Sequence, residues 1–234
     1  MTIRRISLAT ALLALGGAWL MGPPSLAMSQ QPLTLADLVR ESTQIIRGEV
    51  TAVNEGVDHR LLPYTEVQVK VFETIRGVDE STLTFRQFGL QTPRPSSNGR
   101  RFVGSVPGIP RYAQGDKVLL FLGPVSMIGY RTTVGLGQGR FALRGGTYQN
   151  DVNNAGLFKD LTYGKRALND SEKSMLAVRQ GVVGADTFVS FVRRAVSGQW
   201  WDAPKAKRPI PPGTPKPFSS TPKTVDVNGG GAHD

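Results

Sequence analysis

Between Gly89 and Gln114 the chain places Arg94, Arg100, Arg101 and Arg111 with no acidic residue among them, and it interleaves Phe102 and Tyr112. Guanidinium groups present planar forks of donors that grip carboxylates and sulfates, and neighbouring rings add stacking area. Pro93, Pro95, Pro107 and Pro110 punctuate the same stretch, which predicts a long loop without secondary structure of its own. Loops of that length are uncommon in a compact domain unless they bind something or are disordered. The expected chemistry is recognition of an acidic partner. A solvated basic loop is the plain alternative, and Arg111 has a second option in pairing with Asp116. Trp200 and Trp201 form the other candidate, either an apolar latch on the domain or an exposed partner anchor.

Catalysis has few side chains to use. The chain has 2 histidines, His59 in a polar turn and His233 beside the last residue. A serine nucleophile would need His59 as its base, yet Asp58-His59-Arg60 reads as a solvated turn. There is no cysteine, which removes disulfides, thiolate nucleophiles, iron–sulfur clusters and acylation on Cys. No histidine spacing suits a metal, so neither metal nor cofactor is expected. Glu49, Glu66 and Glu73 lie on predicted strands and could serve as acid and base if two of them met. Glu66, however, alternates with valines on a solvent face. Asp151, Asn153 and Asn154 offer oxygens to a calcium ion but lack further carboxylates, and such clusters ordinarily make turns. Gly135-Leu136-Gly137-Gln138-Gly139-Arg140 invites a phosphate-loop reading. A phosphate cradle needs a helix N-terminus after it, whereas Phe141-Ala142-Leu143 reads as a strand, so a hairpin or bulge is expected.

The N-terminus indicates the compartment. Arg4 and Arg5 precede an apolar run from Ile6 to Leu20, Pro23 and Pro24 end it, and Ser25-Leu26-Ala27 supplies small residues for a cut after Ala27. That is the pattern of a secretory signal peptide over residues 1–27, with a retained membrane anchor as the alternative. No later apolar stretch approaches the roughly 20 residues of a membrane span, so no transmembrane segment is expected in the mature chain. The net charge is +10, but Arg4, Arg5 and the basic tail carry about half of it. The mature domain is only moderately basic. It suits an acidic surface, envelope or polysaccharide better than nucleic acid.

The elements that must position these residues are mostly strands. Thr34 and Asp37 approximate a capping box, predicting a helix over about 34–43 with Leu35, Leu38 and Val39 on one face. Ile45 to Asn54 reads as a strand in which Gly48 marks a bulge or a close backbone approach. Thr65, Val67, Val69 and Val71 alternate with Glu66, Gln68 and Lys70, a half-buried strand continuing to Arg76. Thr82–Phe88 follows, then Lys117–Leu122, apolar enough that both its faces should be covered. Tyr130–Val134, Gly139–Leu143 and Thr147–Val152 read as further strands. Residues 154–184 show no clean period, with a helical turn at most around Ser171–Arg179. Asp186 looks like the N-cap of a helix whose face is Phe188, Phe191, Val192, Ala195 and Val196, with Gly198 as its stop. Residues 28–202 form one domain, and 203–234, rich in Pro and Lys, should be disordered. The expected fold is mainly β: a small OB-like closed or nearly closed antiparallel β-barrel with a short N-terminal helix and a C-terminal amphipathic helix. A two-sheet sandwich is the competitor.

The stretches Ala36-Asp37-Leu38-Val39, Ile45 to Val50, Tyr64 to Val67, Ile75-Arg76-Gly77, Val106 to Tyr112, Gly115 to Leu122 and Gly135 to Phe141 carry a resemblance. Together they resemble a group of uncharacterised secreted bacterial proteins, some encoded near matrixin-type metalloproteases. The opening half also resembles the OB-type barrel of tissue inhibitors of metalloproteinases and netrin-like modules. Those inhibitors chelate the protease zinc through a disulfide-anchored N-terminal cysteine, which this chain lacks. The resemblance therefore implies a barrel with a binding role and a secreted metalloprotease as one partner, without an inhibitory residue to carry over. The expected function is a secreted, non-catalytic binding module for an extracellular or envelope protein. The alternatives are a carboxylate-dependent hydrolase acting on glycans and an envelope-associated structural protein held by its basic tail. N-terminal sequencing of the exported protein should find Met28 first; an exported chain that begins at Met1 would contradict the cleavage.

Overall fold

The computed structural model describes residues 31–92, 94–95, 101–102, 107–161 and 168–198, the two short pairs by backbone alone. The chain opens with helix α1, Leu35–Glu41, where Thr34 and Asp37 make the expected capping box. The Thr34 hydroxyl accepts from the Asp37 amide at 3.2 Å, and the Asp37 carboxylate accepts from the Thr34 amide at 3.1 Å. Leu35, Leu38 and Val39 are buried beneath it.

Strands β1 (Gln44–Val57) and β2 (Pro63–Arg76) form a long antiparallel ribbon. β3 (Thr82–Phe88) continues it. Arg94–Pro95 and Arg101–Phe102 pair separately as β4 and β5. Then come β6 (Lys117–Leu122), β7 (Arg140–Arg144), β8 (Thr147–Asn150), α2 (Asp170–Leu176), β9 (Val183–Gly184) and α3 (Ala185–Val196). The main sheet has 7 strands in the order β3-β2-β1-β6-β7-β8-β9. Each adjacent pair is antiparallel. The register of the ribbon shifts between Arg47 and Gly48. A Cβ on Gly48 would lie 2.4 Å from the Lys70 carbonyl oxygen, so the close approach admits only glycine.

β6 is covered on both faces, as its unbroken apolar run requires. Val118, Leu120 and Leu122 join a cluster with Ile46, Val50, Val67, Val69, Leu83 and Phe85. Leu119 and Phe121 join the other cluster, with Ile45, Phe141 and Tyr148 under α1 and α3. Phe188 of α3 packs against Phe141, Tyr148 and Phe158, with ring centroids 5.0, 6.1 and 6.2 Å away.

Four expectations need correction. The sheet is not a closed barrel: β3 and β9 are its unpaired ends, and β9 is only two residues long. Residues 130–134 do not form a strand. They make a single bridge, Thr133 to Leu122, before Gly135 turns the backbone to φ +62°. The last helix begins at Ala185 after Gly184, so Asp186 sits in the first turn rather than at the cap. α2 is a full two turns because Asn169 and Glu172 form a second capping box.

Phe188→Ala removes a ring that touches three others and should cost about 3–5 kcal/mol of stability in urea unfolding. A loss below about 1 kcal/mol would place the centre of the core elsewhere.

Candidate binding cleft

The glycine motif builds this site through packing. Residues Leu136–Gly139 make one 3-10 turn that leads into β7, where the phosphate-cradle pattern would need an α-helix. A Cβ on Gly137 would lie 2.8 Å from that of Asp151, and one on Gly139 would lie 2.4 Å from the Val134 carbonyl oxygen. The amides of Leu136, Gly137 and Gln138 are already used. Gly137 N–H donates to the Gly108 carbonyl at 2.8 Å, and Gln138 N–H donates to Gly135 at 3.1 Å. The Gln138 side chain accepts from the Leu33 amide at 2.6 Å and donates to the Gln31 carbonyl at 3.2 Å. The turn therefore ties the start of the domain and the end of the proline-rich loop to β7.

Arg140, the first residue of β7, has a side chain only 9% exposed and two carboxylate partners. One terminal nitrogen donates to Asp116 Oδ2 at 2.9 Å and the other to Asp151 Oδ1 at 3.0 Å. The guanidinium carbon also stands 5.3 Å from the centre of the Tyr112 ring. Asp116 Oδ2 additionally accepts from the Ala113 amide at 3.0 Å. Backbone bonds between Val50 and both Gly115 (2.8 Å) and Asp116 (2.9 Å) fix that corner to β1. Around these groups opens a cleft of about 520 Å³, lined also by Gly108, Ile109, Arg111 and Arg144. Arg111 and Arg144 are both exposed. Neither pairs with a carboxylate among the described residues, because Arg140 takes the Asp116 contact expected for Arg111.

Tyr112 corrects the picture of an exposed stacking ring. It is 5% exposed and packs edge-on against Phe85, with centroids 5.9 Å apart. Its backbone N–H donates to Gln91 Oε1 at 2.5 Å, and its carbonyl accepts from Gln91 Nε2 at 3.1 Å. Burial pushes its hydroxyl pKa well above the usual tyrosine value. The end of the basic loop thus folds over the open end of the sheet. For Arg94, Arg101 and Phe102 only the backbone in β4 and β5 is described, and Arg100, Trp200 and Trp201 lie outside the described residues.

The remaining acidic candidates are largely engaged in packing the fold. Glu66 pairs with Arg86 at 2.7 Å, and Glu73 with Arg47 at 2.9 Å and with Arg193 at 2.5 Å. The Asn154 side chain accepts from the Asn150 amide and donates to Tyr148 and Gly181, which uses the groups a calcium ion would need. His59 is exposed, in a turn where Asp58 Oδ1 accepts from the Arg60 and Leu62 amides. No local sequence pattern brings Arg140, Arg144, Asp116 and Asp151 into one place. The available signal was the pair of arginines, Arg140 and Arg144, that bracket the apolar Phe141-Ala142-Leu143.

Compared with family models, curated proteins and solved structures, the chain matches none. A functional reading therefore rests on the cleft's own chemistry.

The Asp151 carboxyl is held above the usual aspartate pKa, because burial outweighs the Arg140 charge and the Asp116 charge adds to the rise. Such a group contributes stability that is present below its unfolded-state pKa and is lost as pH rises through the folded-state value. Asp116→Asn should therefore lower the Asp151 pKa in a carboxyl-carbon NMR titration. An unchanged value would mean that the two acids do not sense each other.

Proposed function

We propose that this chain is a secreted, non-catalytic binding module that receives an acidic group of an extracellular or envelope protein. The cleft's charge balance carries the reading. Its two carboxylates are both engaged by Arg140, while Arg111 and Arg144 face the same space with donors to spare. Exposed guanidinium groups beside a preformed wall suit bidentate capture of a carboxylate, and Arg140 holds that wall in shape. The loop that brings Arg111 also carries Arg94, Arg100 and Arg101, which extends the basic surface along the sequence. The signal-peptide pattern supports export, and the family resemblance makes a secreted metalloprotease the first partner to try.

The finer architecture in this proposal is a nearly closed, OB-like barrel. Residues 130–134 run between β3 and β6. Arg131 N–H donates to the Arg86 carbonyl at 2.7 Å, and Val134 N–H donates to Phe121 at 2.8 Å. A segment that bonds to both strands supports closure in all but a continuous ladder.

One observation favours the hydrolase reading. Asp116 and Asp151 share one cleft, and Asp151 has the raised pKa of a general acid. Against it, glycoside chemistry needs the space between two carboxylates, separated by roughly 5–9.5 Å, for the sugar or its water. Here the Arg140 guanidinium occupies that space. The binding reading is the stronger of the two.

The double variant Arg111→Ser/Arg144→Ser should stay folded, since exposed substitutions usually cost within about ±0.5 kcal/mol each. Its capture of protein from a secreted fraction should fall at least about tenfold relative to the wild type. The wild-type interaction should weaken as salt shortens the screening length below about 10 Å. A folded double variant that captures the same partner equally well would end the proposal, and glycan cleavage lost in Asp151→Asn would favour the hydrolase.

A further inference from the structure

A second cavity lies away from the arginine cleft, between the 156–159 turn and the end of α2. It measures about 420 Å³ and is lined by Gly156, Phe158, Lys159, Leu176, Val178 and Arg179. Its wall belongs to the core: Phe158 is 8% exposed, and its other side meets Phe188 edge-on at 6.2 Å. Leu176 and Val178 are half-buried beside it. Lys159 and Arg179 are exposed. A backbone bond from the Gly156 amide to the Arg179 carbonyl, at 3.3 Å, holds the two cation-bearing segments side by side. The turn is fixed as well, with Gly156 at φ +71° and Lys159 N–H donating to the Gly156 carbonyl at 3.1 Å.

The acids of the neighbouring helix leave these cations free. Asp170 pairs with Lys173 at 3.0 Å, and Glu172 pairs with Arg194. Among the described residues neither Lys159 nor Arg179 forms an ion pair. An apolar pocket in the usual ligand range of about 300–1,000 Å³, with a few polar groups at the rim, is the pattern of a small-molecule site. Two unpartnered cations at that rim select the charge of the ligand's head.

We infer that this pocket binds a small amphiphilic anion, an aliphatic carboxylate whose chain lies on Phe158, Leu176 and Val178 and whose head meets Lys159 and Arg179. The proposal is independent of the arginine cleft, and its failure would leave that reading untouched.

Decanoate titrated into the isotope-labelled full chain tests it by NMR. Saturable amide shifts should centre on Gly156, Lys159, Leu176 and Arg179. Lys159→Glu/Arg179→Glu should weaken decanoate at least about tenfold, while leaving uncharged decanol within about twofold. Leu176→Trp, which fills the cavity and keeps both cations, should abolish both ligands. No saturable shift at these amides would overturn the proposal. So would equal affinity for decanoate and decanol in the wild type, or undiminished decanoate binding in a charge-reversed variant that melts like the wild type.

Discussion

A guanidinium with 9% of its side chain exposed cannot remain charged without partners. Arg140 meets that demand by joining three stretches of chain that are distant in sequence. Asp116 arrives from the corner before β6, Asp151 from the turn after β8, and Arg140 itself begins β7. Only loss of Arg140 itself would leave both carboxylates facing each other without their cation. The arrangement requires Gly137, whose missing Cβ makes room for Asp151, and it requires the Asp116 corner to be pinned to Val50. The cleft wall is thus as rigid as the sheet beneath it.

That rigidity gives the two exposed arginines their meaning. An arginine on a mobile loop loses conformational entropy when it grips a ligand. Arg111 leaves a backbone fixed on one side by the Tyr112–Gln91 bonds, and Arg144 ends a paired strand. Both therefore project from an organised frame. The cation–π contact between Arg140 and the buried Tyr112 links this frame to the core cluster that holds Leu83 and Phe85. Packing and the proposed charge recognition share one set of residues here.

Regular elements were legible in the sequence wherever a single period or local motif decided them. The Thr34–Asp37 box, the alternation of Thr65 to Val71, the doubly covered β6 and the apolar face of α3 all follow from residues within one turn or one strand. What escaped is long-range. Tyr112 lies among Pro, Gly and polar residues, and only the fold of its loop over β3 buries it. Residues 130–134 alternate like a strand but form one bridge and no continuous ladder, because the glycine turn after them diverts the chain. The partners of Arg140 stand 24 and 11 residues away, and no local pattern joins them. The Asn169–Glu172 box was readable, but the irregular sequence around it masked a short helix.

If Arg140 neutralises the cleft's acids, Arg111 and Arg144 are left to bind an anion. Side-chain NMR of the arginine Nε–H groups, followed while a glutamate-rich peptide is added, distinguishes the three guanidinium groups. Saturable shifts are expected for Arg111 and Arg144, with Arg140 nearly unmoved. Shifts at Arg140 alone, or a response to a lysine-rich peptide in place of the acidic one, would contradict that expectation.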